Sequence, residues 1–394
     1  MSNVTELKKD NCTGCSLCMN ICPQSILSMT EDDEGFIYPM INSSDKCINC
    51  GKCLRMCPVV NREYSKPIQY SKANYVYNLD NNLVKRSSSG GVAYGLYTYF
   101  LAHDHACAIG VRYTHDCKNV EYSCAHNIEL IDEFLGSKYV KANTSQLISD
   151  ITQELNADNN VIFIGLPCEV SALRNYFGDH DKLYLVELIC HGPSSHFLLE
   201  KYVESIEEKT SSKVICLTMR FKNPDWKPYF IKANLENGSE HLETFVGSSF
   251  SDGFQIFKRP SCNNCKFKDG YTNSDLIIGD FHAAEKGLAE YNRFGVSIAF
   301  SITDKGQQLL SMLKESGFAM GSTAEWKAKG NYALIHPVKK YIVRKWFITR
   351  LLKNGMQNAD NDLIVRASLK LRIFNTKITE YIKKIKRLST RKKV

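Results

Sequence analysis

The chain has 394 residues, too many for one small domain, and its length predicts two or three. A hydrophobic content of 43% suits a globular protein with a sizeable core, and no stretch reaches the roughly eighteen consecutive apolar residues of a transmembrane helix. The net charge of +8 is uneven: from Lys339 onward 17 Lys/Arg face three acids, the rest of the chain is acidic, and with no binding motif beside the charge no nucleic-acid partner is expected.

The N-terminal residues carry the densest pattern. Cys12, Cys15, Cys18 and Cys22 are followed by Pro23, and Cys47, Cys50, Cys53 and Cys57 by Pro58, each member of the second run 35 positions after its counterpart. This C-x2-C-x2-C-x3-C-P spacing is that of bacterial two-cluster ferredoxins. An iron–sulfur cube needs four thiolates converging on one point. Three closely spaced cysteines wrap one side of a cube, and the fourth, after a short helical step, reaches the other cluster. The expected ligand sets are therefore Cys12, Cys15 and Cys18 with Cys57, and Cys47, Cys50 and Cys53 with Cys22. Structural zinc sites use four ligands at paired spacings, which two matched four-cysteine runs fit poorly. Between the runs, EDDEGFIYPMI reads as a turn and a short strand. The core of so small a module is meagre, so metal binding is expected to supply much of its folding energy. The module, residues 1–62, is expected to give way to a polar linker, NREYSKPIQYSK. Cluster-bound cysteines cannot be oxidised to disulfides, and MSNVTELKKDNC has no apolar signal segment, so a reducing cytoplasm is expected.

From Ala73 strands and helices alternate. ANYVYNL reads as a strand, SSSGG as a tight junction, VAYGLYTYFLAH as an apolar helix, and ACAIGVRY and VEYSCAH as strands. SQLISDITQELN places apolar residues at 147, 148, 151 and 155, a helical stripe. VIFIG (161–165) and LYLVELI (183–189), separated by the helix-like EVSALRNYFG, predict a strand–helix–strand unit with parallel strands. VICLTMRF, YFIKANL, HLETFV, DLIIGD and VSIAFSIT add strands, and KGQQLLSMLKE adds a helix. Residues 66–335 thus read as one α/β or α+β body with a mixed sheet. Residues 336–394 read as a basic helical tail, in which IVRKWFITRLLK and LIVRASLKLRIF mix charge with apolar residues. Such a tail suits an acidic membrane surface or a docked protein, and equally a solvated extension packing one face on the body.

A third group of cysteines lies within the body. Cys168 directly follows the VIFIG strand and Cys190 the LYLVELI strand, both at the carboxyl edge where open α/β sheets collect ligands. Cys262 and Cys265, a C-x2-C after the helix-like SDGFQIFKR, complete a four-thiolate set drawn from three loops. On spacing alone a cubane, a zinc ion and unligated thiols all stay open. Cys107, Cys117, Cys124 and Cys216 follow no spacing and read as core or incidental thiols.

Taken in order, Ser88-Ser89-Gly90-Gly91, Gly136-Ser137-Lys138-Tyr139, Gly165-Leu166-Pro167-Cys168, Cys190-His191-Gly192, Cys262 to Cys265 and the DLIIGD run ending at Asp280 form one pattern. It resembles the β-subunit family of coenzyme F-420 hydrogenases and dehydrogenases, here fused behind a two-cluster 4Fe–4S ferredoxin domain. The resemblance covers about residues 66–335 and makes the body a flavin-binding one. It implies bound FAD beside a third 4Fe–4S cluster on Cys168, Cys190, Cys262 and Cys265. It also implies cofactor contacts from Ser88, Ser89, Gly90, Gly91, Ser137, Lys138, Tyr139 and Asp280. Ser-Ser-Gly-Gly lets backbone approach a ligand and opens a helix whose N-terminus receives phosphate, although an ordinary cap and turn use the same residues. Lys138 is expected to pair with a phosphate or lie near the isoalloxazine ring. His282 departs from the family pattern, and His191 and His282 read as surface histidines.

The resulting expectation is an iron–sulfur flavoprotein oxidoreductase with two ferredoxin clusters, a third cluster and FAD. It would meet a redox protein partner or other electron donor and a small two-electron substrate that the residues do not identify, and they name no catalytic group. A non-catalytic relay subunit and a cluster-based redox sensor are the competing readings. The expected location is cytoplasmic, extending to the inner membrane face where the tail is read as a membrane-surface element.

Overall fold

The computed structural model describes residues 3–103 and 105–371. The N-terminal module contains α1 (Leu17–Asn20), the hairpin β1 (Leu27–Glu31) and β2 (Ile37–Ile41), and α2 (Lys52–Arg55), followed by β3 (Lys66–Pro67). The body begins with β4 (Asn74–Asn78), α3 (Asn81–Arg86), α4 (Val92–Leu101), β5 (Ala106–Tyr113) and β6 (Val120–Ala125). It continues through α5 (Leu147–Asn156), β7 (Asn160–Gly165), α6 (Pro167–Phe177), β8 (Leu183–Leu188) and α7 (His196–Thr210). Next come β9 (Val214–Lys222), β10 (Tyr229–Leu235), β11 (Glu240–Thr244), α8 (Ser249–Ile256) and β12 (Tyr271–Thr272). The last stretch holds β13 (Leu276–Asp280), β14 (Ser297–Ser301), α9 (Asp304–Glu315), β15 (Phe318–Ser322), α10 (Glu325–Ala328), α11 (Tyr332–Ile335) and α12 (Arg344–Asn361).

Eight strands form one mixed sheet in the order β15-β4-β14-β13-β8-β7-β5-β6. Its centre, β5, β7, β8 and β13, is parallel, and the flanking pairings are antiparallel. The strand–helix–strand unit read from the sequence is β7–α6–β8, with Val161 opposite Leu183 and Gly165 opposite Glu187. Central parallel strands are buried on both faces, which explains their unbroken apolar runs. On one face Leu96 and Phe100 of α4 and Leu309 and Leu313 of α9 meet Ile162, Ile164 and Val186. On the other, Ile148 and Ile151 of α5 and Val170 and Leu173 of α6 meet Val161, Phe163 and Leu185. Each such buried side chain contributes about 1.5–3 kcal/mol.

The strands from VICLTMRF to HLETFV stand apart from this sheet, as a three-stranded antiparallel sheet β11-β10-β9. Ile231, Ala233 and Leu235 alternate along β10 and face a core shared with α7, α8 and α12. An antiparallel sheet with one covered face needs no place in a doubly covered one.

The segment expected as a polar linker is tied down: β3 pairs antiparallel with β12, and Asn175 of α6 donates to the carbonyls of Met56 and Asn61 at 2.9 and 2.8 Å. The N-terminal module also lacks a core of its own size. Leu17 and Ile21 pack with α5 and α6, and Phe36 and Tyr38 join the core around α7 and α8. In the tail, α12 bends at Gly355 and buries Phe347, Ile348, Leu351, Met356 and Ala359 in that same core. The tail beyond Leu371 lies outside the described residues, and among those described no helix is long and apolar enough to cross a membrane.

Candidate functional site

The two cysteine runs come together as two crossed sets. One cavity is lined by Cys12, Cys15, Cys18 and Cys57, and a second by Cys22, Cys47, Cys50 and Cys53. The short helices α1 and α2 provide the step that carries Cys22 and Cys57 across, and Cys18 and Cys53 pack in one small core between the cavities. Burial pushes the Cys57 thiol up to about 12, and the charges at Cys15 and Cys12 add to the shift. Burial likewise raises Cys18, reinforced by Cys15, Cys12 and Cys57. Converging buried thiols that raise one another are what a multivalent metal centre converts to thiolates. Cys50 is exposed, so the second set lies nearer the surface.

The third set also converges, from three loops. Cys168 sits at the start of α6, Cys190 just past β8, and Cys262 and Cys265 in and after a 3-10 turn, Pro260–Asn264. Gly192 adopts φ 73°, and a Cβ there would lie 3.1 Å from the Cys262 Cβ and 3.3 Å from its Sγ, so only glycine lets the Cys190 loop close on Cys262. Burial pushes Cys262 up to about 12, with Cys190 and Cys265 adding and Lys258 and Arg259 opposing. Burial raises Cys168 too; Lys141 opposes, while Glu169, Cys190 and Cys262 add. The Ser261 hydroxyl is buried without a partner among the described residues, a free donor beside Cys262.

Two buried cations stand between the first set and the third. Arg259 is 1% exposed; its Nε donates to the Cys12 carbonyl at 2.9 Å and its Nη2 to the Ile37 carbonyl at 2.8 Å. Its Nη1 is buried with no partner among the described residues. Lys141 pairs with Glu169, whose other oxygen accepts from the Tyr122 hydroxyl at 2.6 Å and the Leu166 amide at 2.9 Å. The Lys141 charge bears on both Cys15 and Cys168, and Arg259 touches Cys12 and bears on Cys262. Each cation is thus shared by two cysteine sets. Sequence reasoning passed over both, since single basic residues carry no spacing signal.

The candidate flavin contacts gather at the same carboxyl edge of the sheet. Ser88 and Ser137 hydroxyls are 2.9 Å apart, although 49 positions separate them. The Gly90 amide donates to Ser297 Oγ at 3.0 Å, and a Cβ on Gly90 would fall 2.3 Å from the Val76 carbonyl, a clash that requires glycine. Gly91 caps α4. Tyr139 packs between Phe245 and Phe254, with ring centroids 5.0 and 4.8 Å away. Lys138 is buried and donates to the Glu133 and Leu135 carbonyls at 2.9 and 2.7 Å; burial lowers it to about 7. Asp280 ends β13 and accepts from Arg220 at 2.8 Å; burial works against its charge, but Arg220 holds its carboxyl below the ordinary range.

Several neighbours were not foreseen. Arg220 and Lys222 project from β9, and Lys222 donates to the Ser89 carbonyl at 2.9 Å. Trp226 donates to the Ser88 carbonyl at 3.1 Å and stacks on His282 at 5.8 Å between centroids. His191 and His282 are both exposed. The signal available was the i, i+2 placement of Arg220 and Lys222 in an otherwise apolar strand, which sets two cations on one side. Arg220 keeps Nε and Nη2 buried without partners among the described residues, and Lys222 is 4% exposed. A buried guanidinium with unpartnered donors beside one carboxylate, and a buried lysine that would gain its charge against an anion, fit an anionic group such as a phosphate. Cys190 and Asp280 lie at the same end of adjacent strands, where the Ile189 amide donates to the Ile278 carbonyl at 2.9 Å.

Comparison with known proteins bears on these sets. Residues 158–325 match the family described as the C terminus of the coenzyme F420 hydrogenase/dehydrogenase beta subunit, and residues 11–61 match a 4Fe-4S dicluster domain. The chain carries that family's C-terminal domain. It is an iron–sulfur redox protein related to the F420 hydrogenase beta subunit. The first match contains Cys168, Cys190, Cys262, Cys265, Arg220, Lys222 and Asp280; the second contains all eight paired-run cysteines. Among solved structures, a chain of the F420-reducing NiFe hydrogenase complex from Methanosarcina barkeri, studied by xenon derivatization, is similar with a TM-score of 0.48 and 18% identity, over 75% of this chain and 98% of that one. No curated protein matches.

Proposed function

We propose that the protein is an FAD-dependent iron–sulfur oxidoreductase that joins a one-electron protein partner to a small two-electron substrate. The observation that carries this is the sharing of Arg259 and Lys141 between the first and third cysteine sets, with Cys190 of the third set at the same strand end as Asp280, which pairs with Arg220. In this reading Cys12, Cys15, Cys18 with Cys57, and Cys47, Cys50, Cys53 with Cys22, hold two 4Fe–4S clusters, and Cys168, Cys190, Cys262 and Cys265 hold a third. Ser88, Ser89, Gly90, Gly91, Ser137, Lys138, Tyr139 and Asp280 frame the flavin. A flavin held there supplies the exchange between one-electron and two-electron carriers.

The chain's own residues set the conditions. Arg259 and Lys141 offset the negative charge of thiolate-bound clusters in a dry interior, where a charge is costly unless paired. Arg220 offers its charge and two unpartnered donors to a phosphate, Lys222 lies beside it on the same strand, and Gly90 lets the turn before α4 sit against the Val76 carbonyl and Ser297. The exposed Cys50 edge suits contact with a redox protein partner. The domains are residues 1–62, 66–335 and 336–394, with the last in part a packed extension.

The test is anaerobic purification followed by stepwise dithionite reduction. FAD should remain bound, be reduced, and be reoxidised by an added two-electron acceptor; the Cys168→Ser variant should keep FAD but lose its reduction by a protein donor. Cluster-intact protein that carries no flavin would overturn the flavoprotein reading and leave a cluster relay.

A further inference from the structure

The geometry points to a thiophilic divalent-cation site, of the kind that takes Zn2+, formed by Cys107, Cys124 and Glu154 at the outer edge of the eight-stranded sheet. It lies outside all three cysteine sets discussed above. In the β5–β6 pairing Ile109 stands opposite Cys124 and Ala108 opposite Ala125, so Cys107 and Cys124 sit diagonally on one face. Glu154, in the last turn of α5, reaches the same point. The Cys107 Sγ, the Cys124 Sγ and a Glu154 carboxylate oxygen all lie within 4.8 Å of one another. Tetrahedral zinc with Zn–S of about 2.3 Å needs ligand–ligand separations of about 3.8 Å, so closure asks for roughly an ångström of movement.

The surroundings suit a cation. Cys107 is fully buried, and Asp150 and Glu154, one turn apart on α5, both bear on Cys124. Asn159 Nδ2 donates to Glu154 Oε2 at 2.7 Å and fixes the carboxylate, the kind of support that orients metal ligands. His126 Nε2 lies 3.2 Å from Glu154 Oε1 and helps to orient that carboxylate, leaving the fourth position to a water. Two thiolates select zinc over magnesium or calcium and are too few for a cubane. Binding moves no electrons: two thiol protons pass to solvent as two Zn–S bonds form. The cation ties the edge strand β6 and its neighbour β5 to α5, a structural role.

The test compares zinc per chain in cluster-loaded protein exposed to zinc and desalted, for wild type and Cys107→Ser/Cys124→Ser. Wild type should hold one more zinc than the variant, with iron and sulfide equal in the two. Zinc misplaced in the cluster sites would remain in both. X-ray absorption at the zinc edge should show two sulfur ligands at about 2.3 Å. Glu154→Gln, at a partly exposed position, serves if the double variant does not fold, and should weaken zinc retention at least tenfold. Equal zinc in wild type and variants, or a native Cys107–Cys124 disulfide, would overturn the site.

Discussion

A buried guanidinium such as Arg259 costs several kcal/mol to desolvate unless its donors are met, and it meets the Cys12 and Ile37 carbonyls while keeping Nη1 unpartnered among the described residues. A positive charge next to a cluster favours the reduced form. Arg259→Met should therefore lower the potential of the cluster on the Cys12 set, by on the order of 59 mV, a tenfold change in a one-electron equilibrium. Potentiometric titration followed by paramagnetic resonance checks this, and an unmoved potential would remove Arg259 from the charge balance. Lys222 makes a second prediction at this scale. Burial, reinforced by Arg220 and opposed by Asp280, lowers it to about 6 from 10.5. The fold thus disfavours its charged form, and the stability it contributes rises as pH climbs from about 6 toward 10.5. A bound phosphate reverses that preference and takes up a proton, so FAD affinity should fall up to about tenfold per pH unit above pH 6. Fluorescence titration of flavin-stripped protein measures it, and Lys222→Met should flatten the slope; a flat profile in the wild type would contradict the assignment. These groups were the least legible in the sequence. Cysteines announce themselves by spacing, whereas Arg259, Lys141 and Lys222 matter only through what folds around them.

At the scale of elements, the periodicity of the central strands and of α5, α6 and α9 was readable because each buries one stripe or both faces. The hairpin sheet β9–β11 was readable as strands but not as a separate sheet, since partner choice depends on which face finds cover. The tail shows the same limit. Its mixed basic and apolar residues left docking and packing equally open, and Phe347, 1% exposed against α7 and α8, favours packing for its first helix. Phe347→Ala should cost about 3–5 kcal/mol, read as a lowered denaturation midpoint. A loss below 1 kcal/mol would mean that α12 is held elsewhere.

For the whole molecule, the N-terminal module and the body share cores. Leu17 and Ile21 pack under α5 and α6, β3 pairs with β12, and Glu34 pairs with Arg344 of α12. The sequence suggested a metal-dependent module on a linker, because long-range contacts leave no local pattern. The consequence is one cooperative unit: iron removal should lower the midpoint of the entire protein in a single transition. Two separate calorimetric transitions, with only one sensitive to iron, would show independent domains instead. In the proposed function twelve cysteines hold three cubanes beside one flavin. The most direct test is iron, acid-labile sulfide and flavin per chain after anaerobic purification, with about twelve iron, about twelve sulfide and one FAD expected. About eight iron with no FAD would contradict it, reducing Cys168, Cys190, Cys262 and Cys265 to zinc ligands or free thiols.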